Sequence, residues 1–77
     1  MAKVLFKGFV YGLEKISLTK LIRQKANLSL KEAKSRTDAL TEGKSFVIET
    51  ESIEQAEELV KEATAIGAVC EIIKDND

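Results

Sequence analysis

Glu14-Lys-Ile-Ser-Leu-Thr-Lys-Leu-Ile-Arg-Gln-Lys-Ala-Asn-Leu-Ser-Leu-Lys-Glu-Ala-Lys34 is the stretch on which the fold turns. Its first half has the period of an amphipathic helix. Leu18, Leu21, Ile22 and Ala26 fall within about 140° of one another at 100° per residue, a buried stripe on a helix over residues 14–26. Its second half begins with Ser29-Leu30-Lys31-Glu32, a hydroxyl at the cap and a carboxylate three residues on. That capping box starts a second helix, with Leu30, Ala33, Thr37 and Leu40 on one face and Gly43 as the stop signal, so it runs to about residue 41. The short gap between the helices makes them packed neighbours.

Strand signals flank this hairpin. Residues 3–11 are β-branched and aromatic and partly alternate. Val4, Phe6 and Val10 form the expected core face; Lys3, Leu5, Lys7, Phe9 and Tyr11 form the outer one. Residues 44–50 predict a second strand with Phe46 and Ile48 inward. Ser52-Ile53-Glu54-Gln55 is another capping box, opening a third helix whose apolar stripe is Ile53, Ala56, Leu59, Val60 and Ala63. Gly67 stands where a left-handed cap ends that helix. Residues 68–73 predict a third strand with Ala68, Cys70 and Ile72 inward. The order β-α-α-β-α-β indicates an α+β two-layer sandwich with three helices on one face of a three-stranded sheet. Connectivity alone favours a parallel pairing of the second and third strands, if they are adjacent.

Seventy-seven residues make one domain, 1–77. The net charge is −1, but it is unevenly spread: residues 1–37 hold nine Lys or Arg against Glu14 and Glu32, and residues 38–77 hold three bases against eleven acids. A basic face and an acidic face are expected. A broad nucleic-acid contact is disfavoured, because the acidic half would repel a polyanion and the basic segment lacks interleaved aromatics. A single cysteine allows no internal disulfide, which fits a reducing compartment. Met1-Ala2-Lys3 leads directly into strand-like sequence with no signal-peptide pattern, and no apolar run is long enough to span a membrane. A cytoplasmic protein from an independent gene is the expectation.

No chemistry of catalysis is legible. There is no histidine, and the one cysteine reads as a small core residue. No phosphate loop or metal-ligand spacing occurs, so no enzyme and no cofactor are expected. The informative feature lies on the first helix. Ile16, Lys20 and Arg23 fall within about 60° of one another, on a face turned away from the buried stripe. An exposed apolar residue flanked by cations suits an acidic protein partner. Lys15, Lys25, Lys31, Lys34 and Arg36 extend the charge; from Lys15 to Arg36 there are seven bases and one acid. On the outer sheet face, Leu5, Phe9, Tyr11, Val47, Val69 and Ile73 form a patch that would suit a homodimer, with Lys7 free to pair with Glu49 or Glu71.

The stretch from Glu14 to Lys34 resembles the signature of the C-terminal domain of the bacterial ribosomal stalk protein, L-seven/L-twelve. In that family a Lys-Val-x-Val-x-Lys-x-Val-Arg helix runs into Gly-Leu-Gly-Leu-Lys-Glu-Ala-Lys. Leu30-Lys31-Glu32-Ala33-Lys34 matches outright, and a looser likeness continues to the Gly67-Ala68 turn and the last strand. The resemblance implies an antiparallel three-stranded sheet, in place of the parallel pair that connectivity favours. It also implies a domain that recruits translational GTPases through its helical hairpin. By resemblance that role falls on Ile16, Lys20, Arg23, Leu30, Lys31 and Lys34, and Lys15 adjoins them. The family's Gly-Leu-Gly is Asn27-Leu28-Ser29 here, and its N-terminal dimerisation domain and hinge have no counterpart in these residues. Two readings therefore stand: a stalk-like binding module, and an immunity or inhibitor protein whose acidic third helix (Glu54, Glu57, Glu58, Glu62) blocks a toxin or enzyme.

Overall fold

Alternation along β1 (Ala2–Phe9) turns Val4 and Phe6 inward, and both are fully buried. In a computed structural model, which describes residues 2–73, β1 is followed by α1 (Lys15–Ala26), α2 (Leu30–Thr41), β2 (Phe46–Thr50), α3 (Ile53–Ala65) and β3 (Ala68–Ile73). The sheet order is β2-β1-β3, and both pairings are antiparallel. The expected α+β sandwich is thus present, with its sheet antiparallel. β2 and β3 do run in the same direction, as a crossover through α3 requires, but β1 lies between them. The parallel pairing fails because adjacency, not direction, is what connectivity leaves open.

Side chains from the two layers meet in one core. Val4, Phe6, Ile48 and Ala68 come from the sheet; Leu18, Leu21 and Ile22 from α1; Ala33 and Leu40 from α2; Ala56, Leu59 and Ala63 from α3. Phe6 and Phe46 face each other across β1 and β2, their rings stacked at 4.9 Å between centroids. Such a cross-strand aromatic pair adds to the burial of its own area. Cys70 is half-buried, and burial pushes its thiol above the ordinary 9.0, away from the reactive thiolate.

Several expected core residues lie elsewhere. Val10 is 55% exposed. A register irregularity between Phe6 and Gly8 inserts an extra residue opposite β3, after which Phe9 pairs with the buried Ala68. A one-residue slip exchanges the faces of all that follows, and the strand ends before Val10. Leu30 and Ile53 are exposed as well, each as the first residue of its helix, beyond the reach of the core. Ser29 forms a complete capping box with Glu32; at Ser52 only half of one forms, because Gln55 Oε1 accepts from the Glu51 amide. Lys7 pairs across the sheet with Glu71.

One turn fastens the layers together. The Val10 N–H donates to Gly67 O at 2.8 Å, and the Glu14 N–H to Ile66 O at 3.0 Å. The segment leading into α1 is thereby tied to the turn between α3 and β3. Gly67 has φ +106°, and a Cβ there would stand 2.9 Å from Leu13 Cα. Backbone meets backbone, so nothing flexible can yield. Gly67→Ala should therefore cost roughly 3 kcal/mol in urea unfolding, combining an unfavourable φ with a clash. Gly12→Ala, at φ +95° but in open space, should cost only the conformational part, roughly 1 kcal/mol.

Hydrogen bonds from the backbone and hydroxyl of Ser29 hold the Glu32 carboxyl below its ordinary value of 4.5. A carboxylate favoured in the folded state contributes stability above that value and loses it as pH falls through the lower folded value. The start of α2 should therefore weaken on acidification below pH 4.5. Glu32→Gln should remove this part of the pH dependence, as urea titrations from neutral down to about pH 3 would reveal.

Candidate interaction face on the helical hairpin

Helix α1 buries Leu18, Leu21 and Ile22, which leaves Lys15, Ile16, Lys20 and Arg23 on its solvent side. Helix α2 buries Ala33, Thr37 and Leu40, which leaves Leu30, Lys31 and Lys34 facing outward. Small residues at 33 and 37 line the buried side of α2 where the two helices pack. Between their outer edges lies an open groove of ≈ 420 Å³. Ile16, 75% exposed, and Leu30, 54% exposed, supply apolar surface to it. Lys15, Lys20 and Lys34 rim the groove, with Asp38 as its single carboxylate.

All seven residues singled out in the sequence lie on this surface. Lys31 borders an adjoining hollow that shares Lys34 with the groove, and Arg23 borders another that shares Lys20. The set is therefore continuous across the hairpin. Lys25 differs from the other cations: its Nζ is 3.0 Å from Glu58 and 3.5 Å from Glu62 on α3. The hydrogen bond to Glu58 raises its pKa above the ordinary 10.5. Lys25 serves as a tie between α1 and α3, with the positive charge locally neutralised.

Two groove residues were not among those expected. Thr19 and Thr37 line it, and their hydroxyls lie 2.8 Å apart, bridging α1 and α2. Thr37 Oγ1 also donates to the Ala33 carbonyl at 3.2 Å. Thr37 is 2% exposed, so its hydroxyl needs protein partners. A threonine inside a buried stripe is itself a signal, because a buried hydroxyl on a helix implies a second element close enough to bond. Thr19 carries no comparable signal.

The hairpin turn preserves a backbone shape that its side chains would not suggest. Asn27 caps α1 with φ 58° and ψ 37°, in the left-handed region that glycine usually fills. Asparagine is among the few residues that visit this region readily. Ser29 sits at φ −68°, an extended geometry open to any residue, and uses its hydroxyl as the cap.

Comparison with known proteins identifies the family of the chain. The family model for the ribosomal protein L7/L12 C-terminal domain matches residues 3–73. The chain belongs to that family. It is also 35% identical over 69 residues to the large ribosomal subunit protein bL12 of Fervidobacterium nodosum, an overlap that takes in 90% of this chain and 52% of the relative. The chain therefore spans about half the length of the curated relative it matches. Among the described residues no cluster of His, Cys, Asp or Glu could hold a metal ion, and no helix is long and apolar enough to cross a membrane.

The exposure of Ile16 separates surface from core on one helix. Ile16→Ser should change unfolding stability by no more than about 0.5 kcal/mol. Leu18→Ala, two residues away and fully buried, should cost about 2–5 kcal/mol in the same urea titration.

Proposed function

We propose that this L7/L12-type domain is a non-catalytic binding module that contacts a translational GTPase through Lys15, Ile16, Lys20, Arg23, Leu30, Lys31 and Lys34. The observation that carries this reading is the groove: exposed apolar surface from two helices, with lysines around it. An apolar centre excludes water at a contact, and a charged rim steers and orients the partner. The partner surface that fits is apolar at its middle and acidic at its edge. The work is binding alone and calls for no cofactor.

The role in translation is supported by family membership and by the matched hairpin motif. Cations at exposed positions act mainly through long-range attraction, so the contact should weaken with salt. Binding of the purified domain to a purified elongation-factor GTPase, followed by interferometry, tests the reading. Lys20→Glu with Arg23→Glu should reduce affinity roughly tenfold or more, because two attractive charges become repulsive. Glu54→Lys with Glu57→Lys, on α3 and outside the Lys25 ion pairs, should leave it unchanged. Binding lost only in the α3 variant would instead favour the inhibitor-type reading, with its basic partner.

A further inference from the structure

Two exposed apolar features of the molecule have charges of opposite sign close to them in the chain or the fold. One is the groove of Ile16 and Leu30 with Lys15, Lys20 and Lys34 around it. The other is Ile53, the first residue of α3, 48% exposed. Glu51, Glu54 and Glu57 are all exposed close to it in sequence, and Glu57 lies one helical turn beyond Ile53. Among the described residues none of these three lysines and three glutamates has an ion-pair partner. Lys25, Glu58 and Glu62, by contrast, satisfy one another within the chain.

Ile16 and Ile53 lie toward opposite ends of the α1–α3 pair. The start of α1 is bonded to the end of α3 through the Glu14 amide and Ile66 carbonyl. The end of α1, from Gln24 to Asn27, shares a hollow with Gln55 at the beginning of α3. The two helices are thus antiparallel, and ten residues of α1 at ~1.5 Å each separate the level of Ile16 from that of Ala26 beside α3's start, about 15 Å. Ile16 and Ile53 are therefore exposed at the same time on separate parts of the surface.

We propose that Ile53 with its glutamate rim seats in the Ile16–Leu30 groove of a second copy of this chain. The contact joins unlike surfaces, so each copy offers its groove to one neighbour and its Ile53 to another. Such an assembly grows with concentration instead of stopping at two. Three ammonium groups face three carboxylates, and Asp38 leaves the groove net positive. Because both rims are exposed, salt screens the attraction. The contact uses the groove assigned above to a GTPase, but it stands whether or not one binds there.

Sedimentation velocity on the whole chain tests this at about 0.01 M ionic strength, where the Debye length is ~30 Å, and at about 0.15 M, where it is ~8 Å. Mean mass should climb with concentration at low salt and return to the monomer at high salt. Lys20→Glu and Ile53→Asp should each weaken association roughly tenfold or more. Mixed together they should associate again, one intact Ile53 meeting one intact groove, and stop at a one-to-one pair. Lys34→Glu and Glu57→Lys serve the same purpose should either first variant fail to fold. A wild-type chain that stays monomeric at low salt, a mixture as silent as its components, or an association that none of these changes weakens would overturn the proposal. The last result would mean a dimer through another surface, such as the outer sheet face.

Discussion

Gly67 lets one backbone lie directly against another. Leu13 approaches so closely that no side chain fits between them. Two hydrogen bonds, to the carbonyls of Gly67 and Ile66, then close the gap around Val10 and Glu14. This junction sets where α1 begins, and α1 in turn sets the level of Lys15 and Ile16. The rest of the hairpin is positioned by packing on that one start: Leu18, Leu21 and Ile22 take their places over the sheet, and α2 is laid beside α1. The outer face of the helices thus depends on a turn at the edge of the sheet.

The energetic work is divided between layers. Burial of about a dozen apolar side chains holds the sheet and helices together, and the groove residues contribute little to it. Ile16 and Leu30 remain exposed, and Lys15, Lys20 and Lys34 have no internal ion pair among the described residues. Surface charges of this kind add little to stability, since water solvates them well. Their consequence is an external field, positive over the hairpin. Lys25 marks the boundary: there the basic and acidic halves of the chain touch, and the charge is used for cohesion instead.

Much of this was legible in the residues. The element order follows from helical period, capping boxes and strand composition, and the hairpin's outer face follows from the spacing of Ile16, Lys20 and Arg23. What was not legible has local causes. The face of Val10 depends on an extra residue in the pairing of β1 with β3, and a bulge leaves alternation intact on either side while inverting its meaning. Leu30 and Ile53 fit their helical stripes, yet a stripe says nothing of where the core stops along the axis. The sheet order needed the resemblance, because a strand inserted between two others leaves no trace in the connection that joins them. The Thr19–Thr37 bridge needs the separation of two helices, a quantity no single helix encodes.

Asn27 shows how the hairpin keeps its shape where the family's glycine is absent. The left-handed cap costs a residue with a Cβ roughly 1 kcal/mol or more, and asparagine bears less of that cost than most. The Leu28 amide still reaches the Arg23 carbonyl at 3.2 Å, so the end of α1 remains closed. What changes is the surface: an amide now lines the hollow shared with Lys20, Arg23 and Gln24, where glycine would present bare backbone. The replacement therefore acts on whatever docks at that hollow far more than on the fold. In the contact proposed above, a partner that needs the bare backbone at position 27 would be disfavoured, and one that offers a hydrogen-bond donor or acceptor to the amide would be favoured. The same reasoning holds at Ser29, whose hydroxyl is already committed to the Glu32 amide and is less free to serve a partner. Of the two altered positions, then, Asn27 is the one that changes the exposed surface of the hairpin.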